Sequence, residues 1–310
     1  MIAVVHHPGY VLPAAAGANP RANKNGLIRD RLRELEVDWI EPEPMPLDWL
    51  RAVHCPDYVA EVVEARVPAA KERRIGFAVT PPVAWRSQLV PGGTFEAALT
   101  ARARGFAANT GGGSHHALYD TGAGYCVFND LALAAVRLVE EGHARRVLIV
   151  DCDVHQGDGT AMLTAGNPAI ATFSIHAEKN FPVRKARSTL DVALPDGTGD
   201  AEYLAALEEH LVPLANRFAP DLILYQAGVD PLADDRLGRL ALSQDGLDAR
   251  DRFVAGLARS RSIPLASTPG GGYGPDLSVI AERHVRSILT LGAMFNGGVA
   301  PRLEKTLPRR

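Results

Sequence analysis

Six short apolar runs, Val4-Val5, Ala107 to Asn109, Val147 to Val150, Ile170 to Ile175, Leu222 to Gln226 and Pro264 to Ser267, are separated by longer stretches with helical spacing. Runs this short read as strands buried on both faces. Their alternation with helices is the pattern of a parallel sheet covered on both sides. The helical stretches carry start signals of their own. Thr94 is placed to cap a helix that ends at Gly105, and Asn129 or Asp130 to cap one that carries Leu131, Ala135, Leu138 and Val139 before Gly142. Asp200, Ser243 and Asp276 open three more. No repeat divides the chain, and the Pro-rich stretch from Glu41 to Pro46 lies too near the N-terminus to separate two domains. The expected architecture is α/β, a single three-layer domain over residues 1–310 with a central, mostly parallel sheet flanked by helices.

Composition narrows the function classes. With 46% hydrophobic and 22% charged residues, the chain buries a large core. Its 33 basic and 36 acidic residues leave a formal charge of -3 and no basic arm, so no nucleic-acid partner is expected. The tail from Pro301 to Arg310, with Arg302, Lys305, Arg309 and Arg310, reads as a solvated terminus. Cys55, Cys126 and Cys152 are too few and too scattered for a disulfide framework, and none forms a Cys-x-x-Cys pair. That favours a reducing cytoplasm. The start, Met1-Ile2-Ala3-Val4-Val5-His6-His7-Pro8, is too short and polar for a signal peptide, and no run of about 18 apolar residues predicts a membrane span.

The polar residues of greatest chemical interest all follow predicted strands: Gly111 to Ala117, Asp151 to Gly159, the stretch around His176, Gly228 to Asp230, and Gly270 to Tyr273. In an open α/β sheet, loops beyond the carboxyl ends of the strands converge on one ligand site. After Val147-Leu148-Ile149-Val150 come Asp151, Asp153 and His155, two residues apart, a spacing that projects them to one side of an extended chain. A carboxylate and an imidazole presented together suit a divalent ion. Asp230, at the exit of a second strand, completes a set of two carboxylates and one imidazole that leaves a coordination position for water and substrate. Gly111-Gly112-Gly113-Ser114-His115-His116 puts adjacent imidazoles on a tight loop, where each can meet a different partner and exchange protons near neutral pH. Tyr273, in Pro269-Gly270-Gly271-Gly272-Tyr273-Gly274, offers a phenol to a developing oxyanion. Each motif alone also fits a purely structural part: a polar strand exit, a turn starter at Asp230-Pro231, or a glycine turn with exposed side chains.

Together, and in this order, the four motifs resemble the histone deacetylase superfamily, of arginase/deacetylase-like fold: a His-His pair, an Asp-x-Asp-x-His strand exit, a later Gly-x-Asp, and a Gly-rich loop ending in Tyr. The resemblance runs from about His6 to Leu291. The stretches Asp153-Val154-His155-Gln156-Gly157, Tyr225-Gln226-Ala227-Gly228-Val229-Asp230 and Asp235-Arg236-Leu237-Gly238 are similar to the class IV branch more than to classes I or II. The resemblance implies that Asp153, His155 and Asp230 hold zinc, or iron(II), and that Asp151 and Asp158 orient His115 and His116. It also implies a structural potassium ion at Asp151, Asp153, His155 and the backbone near Ser174. The implied reaction is metal-assisted hydrolysis of an acyl amide, in which His116 takes the proton of the attacking water and Tyr273 shares the oxyanion. Gly124 and Tyr125 match one wall of the family's acyl-lysine tunnel, and Phe181 in Asn180-Phe181-Pro182 is aligned with the opposite wall.

The implied substrate is a protein acyl-lysine, acetyl or longer fatty acyl, or a small acylated amine such as an acetylpolyamine. Two other readings compete. An arginase-like ureohydrolase would need two manganese ions and an Asp-x-His-x-Asp pattern, whereas this chain reads Asp151-Cys152-Asp153-Val154-His155 with Gly157 beyond. A non-catalytic acyl-lysine binder would be a dead enzyme, yet every expected ligand, imidazole, carboxylate and tyrosine position holds a competent residue type.

Overall fold

The computed structural model describes residues 1–12 and 22–297; the basic tail from Pro301 to Arg310 lies outside the described residues. Eight strands form one sheet: β1 (Ile2–Val5), β2 (Val37–Ile40), β3 (Phe106–Asn109), β4 (Val147–Asp151), β5 (Ile170–Ala177), β6 (Leu190–Leu194), β7 (Leu222–Gln226) and β8 (Leu265–Thr268). Their order is β2-β1-β3-β8-β7-β4-β5-β6, with every neighbouring pair parallel. Ten α-helices accompany them among the described residues: α1 (Ala22–Arg33), α2 (Leu47–Val53), α3 (Pro56–Val63), α4 (Ala69–Ile75), α5 (Pro81–Arg104), α6 (Asp130–Glu140), α7 (Asp158–Thr164), α8 (Asp200–Phe218), α9 (Gln244–Ser260) and α10 (Leu277–Asn296). No described helix is long and apolar enough to cross a membrane.

Successive strand residues point to opposite faces of the sheet, and the two cores follow from that. Leu148, Val150, Phe173, Ile175, Ile223 and Tyr225 pack with Leu207, Leu211, Val254 and Val285 of α8, α9 and α10. Val147, Ile149, Leu222 and Leu224 face the other way, against Ala97, Ala101, Leu131 and Leu138 of α5 and α6. A third cluster, built on Leu50, Tyr58, Val62, Ile75 and Leu133, seats α2, α3 and α4 beside α6.

β2 and β6 were not among the expected strands. Both are sheet edges, paired on one side, half-exposed, and interrupted by Asp38 and Asp191, so neither presents a continuous apolar run. Asn129, Ser243 and Asp276 cap their helices as expected. Thr94 does not: it lies inside α5, which begins at Pro81. Pro91-Gly92-Gly93 reads as a helix break, but a Cβ on Gly92 would overlap Glu43 O and one on Gly93 would overlap the Tyr10 hydroxyl. The helix runs through, and the glycines mark where neighbouring segments pack in place of side chains.

His54 ties this outer helical layer to the loop behind the His-His pair. It is fully buried; its Nδ1–H donates to Leu118 O at 2.8 Å while its Nε2 accepts from Asn129 N at 3.0 Å. Both nitrogens are committed in the neutral form, and burial lowers its pKa to about 4. The unfolded chain therefore binds the extra proton first, so His54's contribution is present above about pH 6.5 and is lost as pH falls toward 4, an effect of about 3 kcal/mol. A His54→Gln variant should be less stable than wild type at pH 7, and urea midpoints should converge as pH falls to 4.5. A gap that stays constant with pH would contradict this.

Candidate metal centre and active site

The order of the strands brings the carboxyl ends of β3, β8, β7 and β4 side by side, and the loops that leave them carry the chemically loaded motifs. At the exit of β4 the backbone turns so that the ring of His155 lies against its own neighbour: Nδ1 is 2.9 Å from Asp153 Oδ1 and 3.2 Å from Asp230 Oδ2. One donor atom from each of Asp153, His155 and Asp230 lies within 4.8 Å of the others, and all three residues are buried. Asp153 Oδ2 accepts from Gln226 Nε2 at 2.7 Å and Gly271 N at 2.8 Å. Asp230 Oδ1 accepts from Val154 N at 2.9 Å, whereas its buried Oδ2 has no well-directed hydrogen bond among the described residues and lies 3.2 Å from His155 Nδ1. A buried carboxylate oxygen so weakly satisfied is costly unless a cation meets it. Two carboxylates and one imidazole are also the right donors for zinc or iron(II), so the residues fit a divalent ion.

Electrostatics agrees with that fit. Burial opposes charge on Asp153, yet His115 and His155 hold it well below the usual carboxylate range. Burial and the Asp153 charge push Asp230 up to about 7. Burial also works against a charged His155, but the carboxylates of Asp153 and Asp230 beside its Nδ1 raise it to about 10. The carboxylate pair thus demands positive charge at this point, and a proton on His155 competes with a metal ion for it.

The two histidines of the glycine loop have separate partners. His115 Nδ1 lies 2.6 Å from Asp151 Oδ2, and His116 Nδ1 lies 2.7 Å from Asp158 Oδ1, each carboxylate accepting from an Nδ1–H. Burial disfavours charge on His115, but Asp151 and Asp153 outweigh it and raise its pKa to about 9. Burial and the charge of His115 lower His116 to about 4, so it is neutral at pH 7 with Nε2 able to accept a proton. Gly157 and Gly159 permit this nesting: a Cβ on the first would overlap Asp151 Oδ2, and on the second Ala117 O.

A cavity of about 440 Å³ opens over these residues, lined by His116, His155, Tyr273, Tyr125, Phe181 and Leu237 among others. Phe181 stands edge-on to His116, ring centroids 4.8 Å apart, and is 43% exposed; Tyr125, at φ +69, is 42% exposed. The Tyr273 ring lies 6.0 Å from that of His155 and 6.4 Å from that of Tyr125. Gly124, at φ +53, touches His116 so closely that a Cβ would overlap the ring. An adjoining, smaller space of about 80 Å³ is lined by Lys24, Arg86, His115, His116 and Tyr273 with glycines of both glycine loops. Ser174 pairs in register with Asp151 across β4 and β5. His176 is inside β5, its Nδ1 3.0 Å from Ser174 Oγ, and lines neither space.

Four residues that hold this arrangement were given no part in it by the sequence motifs. Asp130, at the start of α6, accepts from Ser114 N at 2.7 Å, Gly113 N at 3.1 Å and Thr94 Oγ1 at 2.6 Å, which pins the glycine loop. Gln226 joins Asp153 to Gly228 N. Arg250, with no exposed surface, donates from Nη1 to Gly228 O at 2.6 Å and Cys152 O at 3.2 Å, and is neutralised by Asp251, which also accepts from Tyr225. It thereby clamps the two segments that carry the three metal-ligand candidates. Asp235 accepts from Tyr273 N at 2.6 Å and from Leu237 N and Gly238 N, so it fixes the backbone beneath the phenol. Asp235→Ala should lower turnover by about 10- to 100-fold, the usual cost of losing such a support, with metal content unchanged. Steady-state kinetics beside metal analysis checks this; full activity would mean that Tyr273 is placed by other contacts.

Residues 20–288 match the histone deacetylase domain. The chain belongs to the histone deacetylase family. It is similar to an uncharacterized protein of Picosynechococcus sp. (strain ATCC 27264 / PCC 7002 / PR-6), 42% identical over 287 residues that cover 91% of this chain and 95% of the relative. It is also similar to histone deacetylase 2 of Arabidopsis thaliana, 37% identical over 185 residues, which cover 59% of this chain but 48% of that protein. Among solved structures, the HDA15 HD domain superposes with a TM-score of 0.74 over 94% of this chain and 96% of that one, at 21% identity. That likeness establishes the shared fold, one parallel sheet between helices; the layered α/β architecture is the one expected from the sequence, with two edge strands more than expected.

Proposed function

We propose that this histone deacetylase family member is a metal-dependent amide hydrolase that removes an acyl group from lysine. The observation that carries the proposal is the placement of Asp153, His155 and Asp230, within 4.8 Å of one another, with His155 lining the same aromatic-walled cavity as His116 and Tyr273. Asp153, His155 and Asp230 would hold zinc, or iron(II), which would supply Lewis acidity to the acyl carbonyl and acidify water. His116 Nε2, backed by Asp158 at Nδ1, takes a proton from the attacking water and returns one to the amine as the C–N bond breaks. His115 Nδ1 is held by Asp151 Oδ2 at 2.6 Å, and charge on His115 disfavours charge on the neighbouring His116. The Tyr273 hydroxyl donates to the oxyanion, and Gly124, Tyr125 and Phe181 flank the aliphatic stem. We assign the structural potassium ion to the same region, at Asp151, Asp153, His155 and Ser174. The class IV kinship is part of this proposal too, supported by the use of Asp235 in Asp235-Arg236-Leu237-Gly238 to hold Tyr273.

The small space of about 80 Å³ beside Asp153, His115 and His116, polar in its lining, favours acetyl over a long fatty chain. The presence of one candidate metal cluster among the described residues favours a single catalytic ion over an arginase-like pair. The test is hydrolysis of fluorogenic lysine peptides carrying acetyl, octanoyl or myristoyl groups, by zinc-loaded and by chelated protein. Metal-dependent release led by the acetyl peptide is expected. No release from any peptide by metal-loaded protein would overturn the proposal and favour an acyl-lysine binder.

A further inference from the structure

The mouth of the cavity is basic. Arg73 and Arg74 at the end of α4, Lys179 after β5 and Arg239 after β7 line the same space as His116, His155 and Tyr273. Arg236 lines an adjoining hollow of about 320 Å³ that shares Tyr125, Leu237 and Tyr273 with it. All five cations are exposed, and no Asp or Glu lines either space among the described residues. Arg239 is paired with Asp196, at 3.1 Å; the other four make no ion pair with any described residue. The chain as a whole carries a formal charge of -3, so this concentration of positive charge is a local feature contributed by three separate segments.

Like charges gathered around one opening repel each other, and the cost falls when an anionic group approaches. An acylated lysine is itself neutral, so what such a rim reads is the charge of the residues on either side of it. A cationic polyamine or a Lys/Arg-rich tail meets repulsion here, whereas a segment with Asp or Glu beside the modified lysine is drawn in. We propose that the substrate of this site is an acyl-lysine flanked by acidic residues in a peptide segment, selected by Arg73, Arg74, Lys179, Arg236 and Arg239. The proposal rests on the deacylase reading above.

The test compares two dye-labelled acetyl-lysine peptides, one flanked by Asp and Glu and one by Lys and Arg, in zinc-loaded full-length protein. Cleavage is followed by kcat/KM and binding separately by fluorescence anisotropy. The acidic peptide should lead by about tenfold or more in both readouts at low salt, and the gap should narrow at about 0.5 M salt as screening sets in. An Arg73→Glu, Arg74→Glu double variant and a Lys179→Glu, Arg236→Glu pair, each checked for an unchanged melting temperature, should reduce or reverse the preference. Cleavage and binding with no preference would overturn this inference and leave the deacylase reading standing. A preference that survives both double variants would equally overturn it. Acidic-selective binding without cleavage would support the rim's role and overturn the deacylase reading instead.

Discussion

Replacing Asp230 by Asn should abolish acyl-amide hydrolysis while leaving the protein folded. The amide keeps the bond from Val154 N to the Oδ1 position but removes the negative charge at Oδ2, the buried oxygen 3.2 Å from His155 Nδ1. In the metal-free protein that carboxylate sits against Asp153, and burial together with the Asp153 charge raises it to about 7. Removing it therefore relieves repulsion, and the metal-free variant should melt no lower than metal-free wild type. What should disappear is the response to zinc. A ligand that binds only the folded state at about 100 times its Kd adds roughly 2.7 kcal/mol, a shift of several degrees in wild type and none in the variant. Thermal melts with and without zinc, run beside the activity assay, check both halves. A variant that still gains stability from zinc and still turns over would show that Asp230 is not a ligand.

The second large effect is expected from Tyr273→Phe. The backbone of residue 273 is held by Asp235 and by a bond from Arg236 N to Tyr273 O at 3.0 Å, and its ring lies between Tyr125 and His155. Phenylalanine retains that packing and loses the hydroxyl alone. Turnover should fall by about 100- to 1000-fold, the range for deleting one oxyanion donor, with KM and zinc affinity little changed. Steady-state kinetics on the acetyl peptide separates kcat from KM. A fall confined to KM would mean that the phenol binds substrate and takes no part in the transition state.

The central strands and the chemically loaded loops were legible in the sequence because each is a contiguous segment. Val147 to Val150 and Leu222 to Gln226 are buried on both faces and read as such, and Asp153, His155, His115 and His116 lie immediately beyond strand ends, where loops must meet. What was not legible depends on partners far away in the chain. β2 and β6 are edges with acids in them, and α5 continues across Pro91-Gly92-Gly93, where the purpose of the glycines shows only once Glu43 and Tyr10 are seen packed against them. The supports of the site are of the same kind. Arg250 is one arginine in a helix until the fold sets it against the carbonyls of residues 152 and 228, and Asp130 looks like a helix cap until Gly113 and Ser114 donate to it. His176 marks the opposite case, a residue that chemistry would nominate and that the strand keeps in the core.

The most direct measurement is a zinc titration of metal-stripped protein in which bound metal and acetyl-lysine hydrolysis are followed in the same samples. Activity that rises in proportion to occupancy and saturates at about one ion per chain, with Asp153→Ala or Asp230→Asn binding none, is the predicted result. Full activity in the stripped protein, or saturation only at a second ion, would contradict the assignment of Asp153, His155 and Asp230 as a single catalytic metal site.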